Sequence, residues 1–378
     1  MAADLHLNYL LQQRKEKGNF RELKLLSGQV VDFSSNDYLG YSYSGKLDAI
    51  TGAILSRQKN NYSGSGGSRL LSGNSSTAVL LEKKIAAFHS AESALLFNSG
   101  FDANLGFYSA VPQKNDLILY DECIHASIID GIRLSFADAI KFKHNNIADL
   151  IKKFSLKTKK YNNVFVAVES VYSMDGDFSP LKDLAKLCEE MNWNLCVDEA
   201  HSTGVFGVQG RGCCNELGIE EKCFVRMYTY GKAFGCHGAA VVGSSVLTQY
   251  LINFSRPFIY STALPPHSLF SIDGAYQLAC TDDERLALFE VISHAQEIFS
   301  GLDGYQLSNS AIHILRVQGN RQVSNMVQFL QESGFDVRAV KSPTVSPGKE
   351  CIRICLHAFN TREELIALKD AIGKWMIQ

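Results

Sequence analysis

Four side chains that could do chemistry together lie on two short stretches. Asn194 to His201 (Asn-Leu-Cys-Val-Asp-Glu-Ala-His) carries Asp198 and His201, and Thr229 to Gly235 (Thr-Tyr-Gly-Lys-Ala-Phe-Gly) carries Thr229 and Lys232. A lysine amine can form a Schiff base or take up a proton, and a carboxylate can keep a pyridine nitrogen protonated. A hydroxyl and free backbone N–H groups can hold a phosphate. Pyridoxal phosphate needs those kinds of group, and Lys232, Asp198 and Thr229 are of those types. A lysine on its own is usually a solvated surface residue. Here Gly231, Ala233 and Gly235 surround it, which suits a backbone approached closely by a ligand.

The elements that must position these groups are strands. Leu195 to Val197 is a short apolar run, so Asp198 falls where a buried strand ends, the usual place for chemistry in an open α/β sheet. Cys223 to Tyr228 reads as a second strand that delivers Thr229 and Lys232 into a loop punctuated by Gly231, Gly235 and Gly238. Three further strand ends carry polar residues. Asn98-Ser99-Gly100-Phe101 precedes a helix, whose N-terminus favours a phosphate. His125 follows Asp121 and Glu122, where it could stack on an aromatic cofactor, and Glu169 to Asp177 is dense in hydrogen-bonding side chains, Ser173 among them. A single histidine is more often structural, but several polar strand ends converging are harder to dismiss. The run from Ser63 to Asn74 is glycine-rich yet includes Arg69-Leu70-Leu71, which suits a loop lining a site better than a linker.

Along the chain, Leu5 to Lys15 reads as a short helix, Val30 to Phe33 as a strand, and Lys46 to Gln58 and Thr77 to Phe88 as helices. Strand patterns at Ala94 to Phe97, Leu117 to Tyr120, Val164 to Val168, Leu195 to Val197, Phe224 to Tyr228 and Ala239 to Val242 alternate with helical stretches. That rhythm is the signature of an α/β domain with a parallel or mixed sheet between helices. After Pro265-Pro266 a long helical segment, Leu269 to Leu302, precedes short strands (Ile312 to Val317, Val337 to Val340, Cys351 to Cys355) and helices (Gln322 to Ser333, Arg362 to Trp375). The expected organisation is an N-terminal segment over 1–37, a large domain over 38–265 and a smaller α+β domain over 266–378.

Composition narrows the class. The 378 residues are 46% hydrophobic and 20% charged with a formal net charge of -2, so nothing marks a nucleic-acid or acidic-membrane partner. Neither a signal-peptide core nor a membrane-span-length apolar run occurs, and a cytoplasmic location is expected. The 10 cysteines form no zinc pattern, so no metal is expected and reduced thiols are.

Taken together, Asn36-Asp37-Tyr38-Leu39-Gly40, the loop from Gly64 to Gly73, His125-Ala126-Ser127, Glu169 to Asp177, Val197 to Gly204 and Thr229 to Gly235 resemble the α-oxoamine synthases. These are pyridoxal-phosphate enzymes of the aspartate-aminotransferase fold (fold type I). The resemblance runs from Asn36 to the C-terminus with the motifs in the same order. Within the family, Ser68-Arg69-Leu70-Leu71-Ser72-Gly73 is most similar to the members that join L-alanine to a pimeloyl thioester with loss of carbon dioxide. Members using glycine or serine with another acyl thioester are the alternative.

The resemblance implies roles residue by residue. Lys232 holds the cofactor as a Schiff base and serves as the base at Cα, Asp198 pairs with the pyridine nitrogen, and His201 and Ser173 bond the phenolic oxygen. His125 covers one ring face and Ala200 the other. The amides of Gly100 and Phe101 with Thr229 bind the phosphate, and Thr262 reaches the phosphate of a neighbouring subunit in a homodimer with shared sites. Asn36 and Arg353 hold the amino-acid carboxylate, Thr344 contacts substrate, and Arg14 is the N-terminal arginine assigned to the acyl chain. The acyl carrier is an acyl carrier protein or coenzyme A.

One reading from another class is open. Gly40-Tyr-Ser-Tyr-Ser-Gly-Lys46 nearly spells a phosphate-binding P-loop, and Asp198-Glu-Ala-His201 spells a helicase box. Leu47 stands where the metal-binding hydroxyl is required, the residues before Gly40 are polar where a strand should be, and no basic patch accompanies them.

Overall fold

The computed structural model describes residues 2–23, 30–58 and 63–377. The chain forms two compact units. The larger comprises Leu39–Ser173 and Phe178–Arg285, and the smaller comprises Met1–Tyr38, Met174–Asp177 and Leu286–Gln378. The changeover therefore falls after Arg285, whereas the sequence placed it after residue 265. Helix Pro266–Leu278 packs on helix Lys46–Leu55, where Gly274 brings it close to Leu47 and Ile50.

The larger unit is built on a sheet that has seven strands among the described residues. Their spatial order is Ser93–Phe97, Ala239–Gly243, Cys223–Thr229, Asn194–Asp198, Val164–Glu169, Leu117–Asp121, Asp138–Phe142. The sheet is mixed: Ala239–Gly243 runs antiparallel to both neighbours, and the other pairings are parallel. All six residues of Val164–Glu169 are buried, so this strand is covered on both faces, as its unbroken apolar run requires. Burying each such valine contributes about 1.5–3 kcal/mol. Six of the seven strands match the apolar runs read from sequence. The seventh, Asp138–Phe142, is an edge strand on which Asp138, Ala139 and Lys141 are exposed, so it has no apolar run to betray it.

In the smaller unit, Arg338–Val340, Cys351–Cys355, Ile312–Arg316 and Tyr305–Gln306 form an antiparallel sheet, accompanied by helices Asn320–Glu332 and Arg362–Met376. The short strand Val31–Asp32 pairs in parallel with Phe335–Asp336 and ties the N-terminal segment to this unit. The long helical segment expected over Leu269–Leu302 consists of two helices, Pro266–Leu278 and Asp283–Phe299. They part around Thr281-Asp282, residue types that prefer caps to helix interiors. No helix of the described residues is long and apolar enough to cross a membrane.

Candidate active site

Parallel pairing sets the larger unit's polar residues side by side. Glu169 and Asp198 are register partners at the ends of adjacent strands, and Thr229 ends the next one. Thr229 is followed by a loop folded back on itself: Tyr230 N donates to Gly238 O (3.0 Å), Cys236 N to Tyr230 O (2.9 Å) and Gly235 N to Lys232 O (2.8 Å). Gly235 is needed there, with φ +61° and a Cβ that would come within 2.6 Å of Ser42 N. Lys232 is thereby presented on a tight, positioned loop.

Lys232 Nζ lies 2.8 Å from His201 Nε2. The Asp198 carboxylate, 4% exposed, accepts from Ala200 N at Oδ1 (2.9 Å) and from Asn104 Nδ2 at Oδ2 (2.7 Å). The same amide nitrogen donates to Ser127 Oγ (3.1 Å), and Ser127 Oγ is 2.7 Å from His125 Nδ1, which also accepts from Ser127 N (3.2 Å). Beyond Asp198, the buried Glu199 carboxylate accepts from Cys213 N (2.9 Å) and Cys214 N (2.7 Å), which anchors the turn carrying Ala200 and His201.

The electrostatics separate these groups. Burial, with the Asp198 carboxylate beside it, pushes Glu169 up to about 8, so this acid is neutral at pH 7. Its Oε2 accepts from Ser173 N (3.2 Å). Burial pulls His125 below the usual imidazole range, with the Lys232 charge acting in the same direction. A neutral ring that accepts at Nδ1 carries its proton on Nε2.

A helix N-terminus meets Thr229 in the same unit. Helix Gly100–Ala110 starts at the carboxyl end of Ser93–Phe97, capped by Ser99, whose hydroxyl accepts from Asp102 N (3.1 Å). A Cβ on Gly100 would lie 2.4 Å from Thr229 Cγ2, so glycine is required where the helix N-terminus and Thr229 meet. Free N–H groups at Gly100 and Phe101, with the Thr229 hydroxyl, are a fitting set for a phosphate. Thr262 pairs with Ser68 in an isolated bridge, and its carbonyl accepts from Asn98 Nδ2 (2.8 Å).

The remaining expected residues belong to the smaller unit. Arg353 Nη2 donates to Asn36 Oδ1 (3.0 Å) and to Tyr38 OH (3.2 Å), and Tyr38 OH donates to the same Asn36 oxygen (3.0 Å). The two carboxylate-binding candidates are therefore together. Thr344 Oγ1 accepts from Arg21 Nη2 (3.3 Å), while Arg14 is exposed in the last turn of helix Ala2–Glu16. Arg21 and Asn104 are functional candidates that residue-type reasoning did not single out, and Ser127 and Glu169 entered only as members of longer motifs. A lone amide on the buried face of a largely apolar helix was the available signal for Asn104.

Two other clusters are accounted for without a ligand. Lys46, in the P-loop-like stretch, pairs with Glu284. Asp121, Cys123 and His144 have ligand atoms within 4.8 Å of one another. The Asp121 oxygens, however, already accept from Cys123 N, Asn145 N and His144 Nδ1 at 2.8–2.9 Å, which makes the cluster a clasp between two loops.

The model of the aminotransferase class I and II family matches residues 28–372. The chain belongs to that family. It is 42% identical over 397 residues to the 8-amino-7-oxononanoate synthase of Emericella nidulans, spanning 98% of this chain and 95% of that protein. Among solved structures it is similar to the 8-amino-7-oxononanoate synthase of Francisella tularensis, with TM-score 0.77 and 31% identity over 92% of this chain and 98% of that one. It is also similar to a serine palmitoyltransferase from S. paucimobilis with bound PLP–myriocin aldimine, with TM-score 0.87 and 25% identity over 99% and 98% of the two chains. The larger unit's residues fit pyridoxal phosphate. They offer one amine on a tight loop, one hydrogen-bonded carboxylate at a strand end, and a glycine-floored helix N-terminus beside a threonine hydroxyl.

Proposed function

We propose that this chain condenses L-alanine with a pimeloyl thioester, giving 8-amino-7-oxononanoate, carbon dioxide and the free thiol, with pyridoxal 5'-phosphate as cofactor. The observation that carries the reading is the Lys232–His201 contact at 2.8 Å beside a buried, hydrogen-bonded Asp198, in a chain 42% identical to an 8-amino-7-oxononanoate synthase over nearly its whole length.

Lys232 holds the cofactor, Asp198 takes its ring nitrogen, His201 and Ser173 its phenolic oxygen, and Gly100, Phe101 and Thr229 its phosphate. His125 and Ala200 flank the ring. When bound, the cofactor supplies an electron sink for the pair left at the substrate Cα. Lys232 Nζ takes the α-proton of alanine and later returns a proton to the same carbon, so one amine serves twice. Arg353 and Asn36 bind the amino-acid carboxylate, a task suited to the forked donors of a guanidinium. Thr344 and Arg21 serve the acyl chain, Arg21 taking the part that the resemblance gave to Arg14. The thioester is carried by an acyl carrier protein or by coenzyme A. Two copies associate, with Thr262 reaching the phosphate held by the other, and sedimentation at the mass of a single chain would rule this out. The ten free thiols suit a reducing compartment such as the cytosol.

The test is turnover of L-alanine, glycine and L-serine, each with pimeloyl thioester on either carrier, read by product mass. A product of mass matching 8-amino-7-oxononanoate from alanine alone is expected. Preference for glycine or serine would overturn the substrate assignment.

A further inference from the structure

Asn104 lies one turn into helix Gly100–Ala110 and is 2% exposed, yet its amide uses both hydrogens. One goes to Asp198 Oδ2 at 2.7 Å and the other to Ser127 Oγ at 3.1 Å. Ser127, buried at the first turn of helix Ala126–Leu134, has its hydroxyl 2.7 Å from His125 Nδ1. Since Ser127 Oγ accepts from Asn104, its own proton is free to go to that nitrogen. The Ser127 backbone N–H also donates to Nδ1 (3.2 Å), which marks that nitrogen as an acceptor and sets the direction of the remaining bonds. Asn104 donates at both ends, Asp198 accepts, Ser127 accepts and passes its proton on, and His125 Nδ1 accepts.

We infer that Asn104 is a positioning residue for the reaction: it clamps the Asp198 carboxylate and, through Ser127, fixes His125 as the Nε2–H tautomer. One side chain thereby sets both the charge that faces the cofactor's ring nitrogen and the imidazole that covers its ring. This rests on the proposed pyridoxal-phosphate site. Burial makes the Asn104 clamp strict, because Asp198 and Ser127 are buried and a carboxylate that loses its donor there is left unpaired. A helix interior would be served as well by leucine. The amide is therefore present for its two donors, and its own Oδ1 is left without a partner.

The experiment compares the parent with Asn104→Leu, which removes both donors at similar volume, and Ser127→Ala, which cuts only the arm to His125. In cofactor-free protein labelled with 15N-histidine, the ring nitrogens of His125 report its tautomer directly. The parent should show Nδ1 as the unprotonated acceptor, and both variants should gain the Nδ1–H form. Pyridoxal phosphate affinity, read by fluorescence, should fall about ten-fold or more in Asn104→Leu and less in Ser127→Ala, since only the first frees Asp198.

Parent-like tautomers in both variants, or parent-like cofactor affinity in Asn104→Leu, would overturn the inference. If Asn104→Leu does not fold, Ser127→Ala decides it: a shifted tautomer supports the relay, and an unchanged one overturns it. A parent that takes up no pyridoxal phosphate would sink the functional reading instead, while the tautomer measurement would still stand on its own.

Discussion

Lys232 Nζ and His201 Nε2 meet at 2.8 Å, although they reach that point from different strands, His201 three residues after Asp198 and Lys232 three after Thr229. Parallel neighbours ending at one edge make such a meeting possible, and glycine-rich loops make it tight.

Asp198→Asn keeps the size of the side chain and an acceptor for Ala200 N but removes the negative charge. Turnover should fall by about 10²–10³-fold, the usual cost of losing one electrostatic group aimed at a reacting centre. Circular dichroism should be unchanged. Parental turnover in this variant would show that the carboxylate is not the ring partner.

Arg353→Lys retains a cation but not the planar fork, so it tests geometry against charge. L-alanine should bind about ten-fold to a hundred-fold more weakly, equivalent to about 1.5–3 kcal/mol, and Arg353→Ala should do no better. Cofactor content should not change. The measurement is an alanine titration followed by absorbance, beside a thermal melt. Unchanged alanine affinity with a lowered melting temperature would make Arg353 a structural residue tied to Asn36 and Tyr38.

Arg21→Ala should raise KM for the acyl thioester by about ten-fold while leaving alanine affinity within about two-fold, because Arg21 is held by Thr344 and not by Asn36 or Arg353. Arg14→Ala should have no comparable effect. Steady-state kinetics with both substrates varied decides between the two arginines, and a larger effect at Arg14 would return the role to that residue.

Two buried histidines should each take stability away on mild acidification. Burial holds His313 at about 4, and burial, with Arg226 nearby, holds His89 well below the usual range. Unfolded, both take up protons near pH 6.5. Below that value the unfolded chain binds more protons than the fold, so the stabilisation present above about pH 6.5 is lost as pH drops toward 4. His313 alone accounts for a loss on the order of 3 kcal/mol. Glu169, raised to about 8, acts in the opposite sense over the same range, so the contribution of His313 is read as a difference. Between pH 7.5 and 5 the parent midpoint should drop relative to that of His313→Gln, and parallel curves would contradict this.

Much of the candidate site is legible in the chain because its residues stand at strand ends, where a polar residue following an apolar run has little packing purpose. Asp198, Thr229 and Lys232 were found that way, and Cys351–Cys355 was recognised as a strand by its alternation around Arg353. Asn104 offered only a weak signal, an amide on the apolar face of its helix, and its partner ninety-four positions away cannot be read from spacing. Arg21 was missed for the same reason, its partner lying 323 residues on. The edge strand Asp138–Phe142 lacked an apolar pattern because half of it is wet. The inclusion of Met174–Asp177 in the smaller unit depends on contacts such as Arg316 with Asp175 (2.6 Å) and Gly176 with Ile312, which no spacing rule reveals.

Lys232 is the proposed attachment point of the cofactor. Borohydride reduction of protein loaded with pyridoxal phosphate, followed by peptide mass mapping, measures that directly. The pyridoxyl group should be found on Lys232, in the peptide containing Tyr230 and Phe234, and Lys232→Ala should acquire no label and show no activity. A label on any other lysine, or turnover retained in Lys232→Ala, would contradict it.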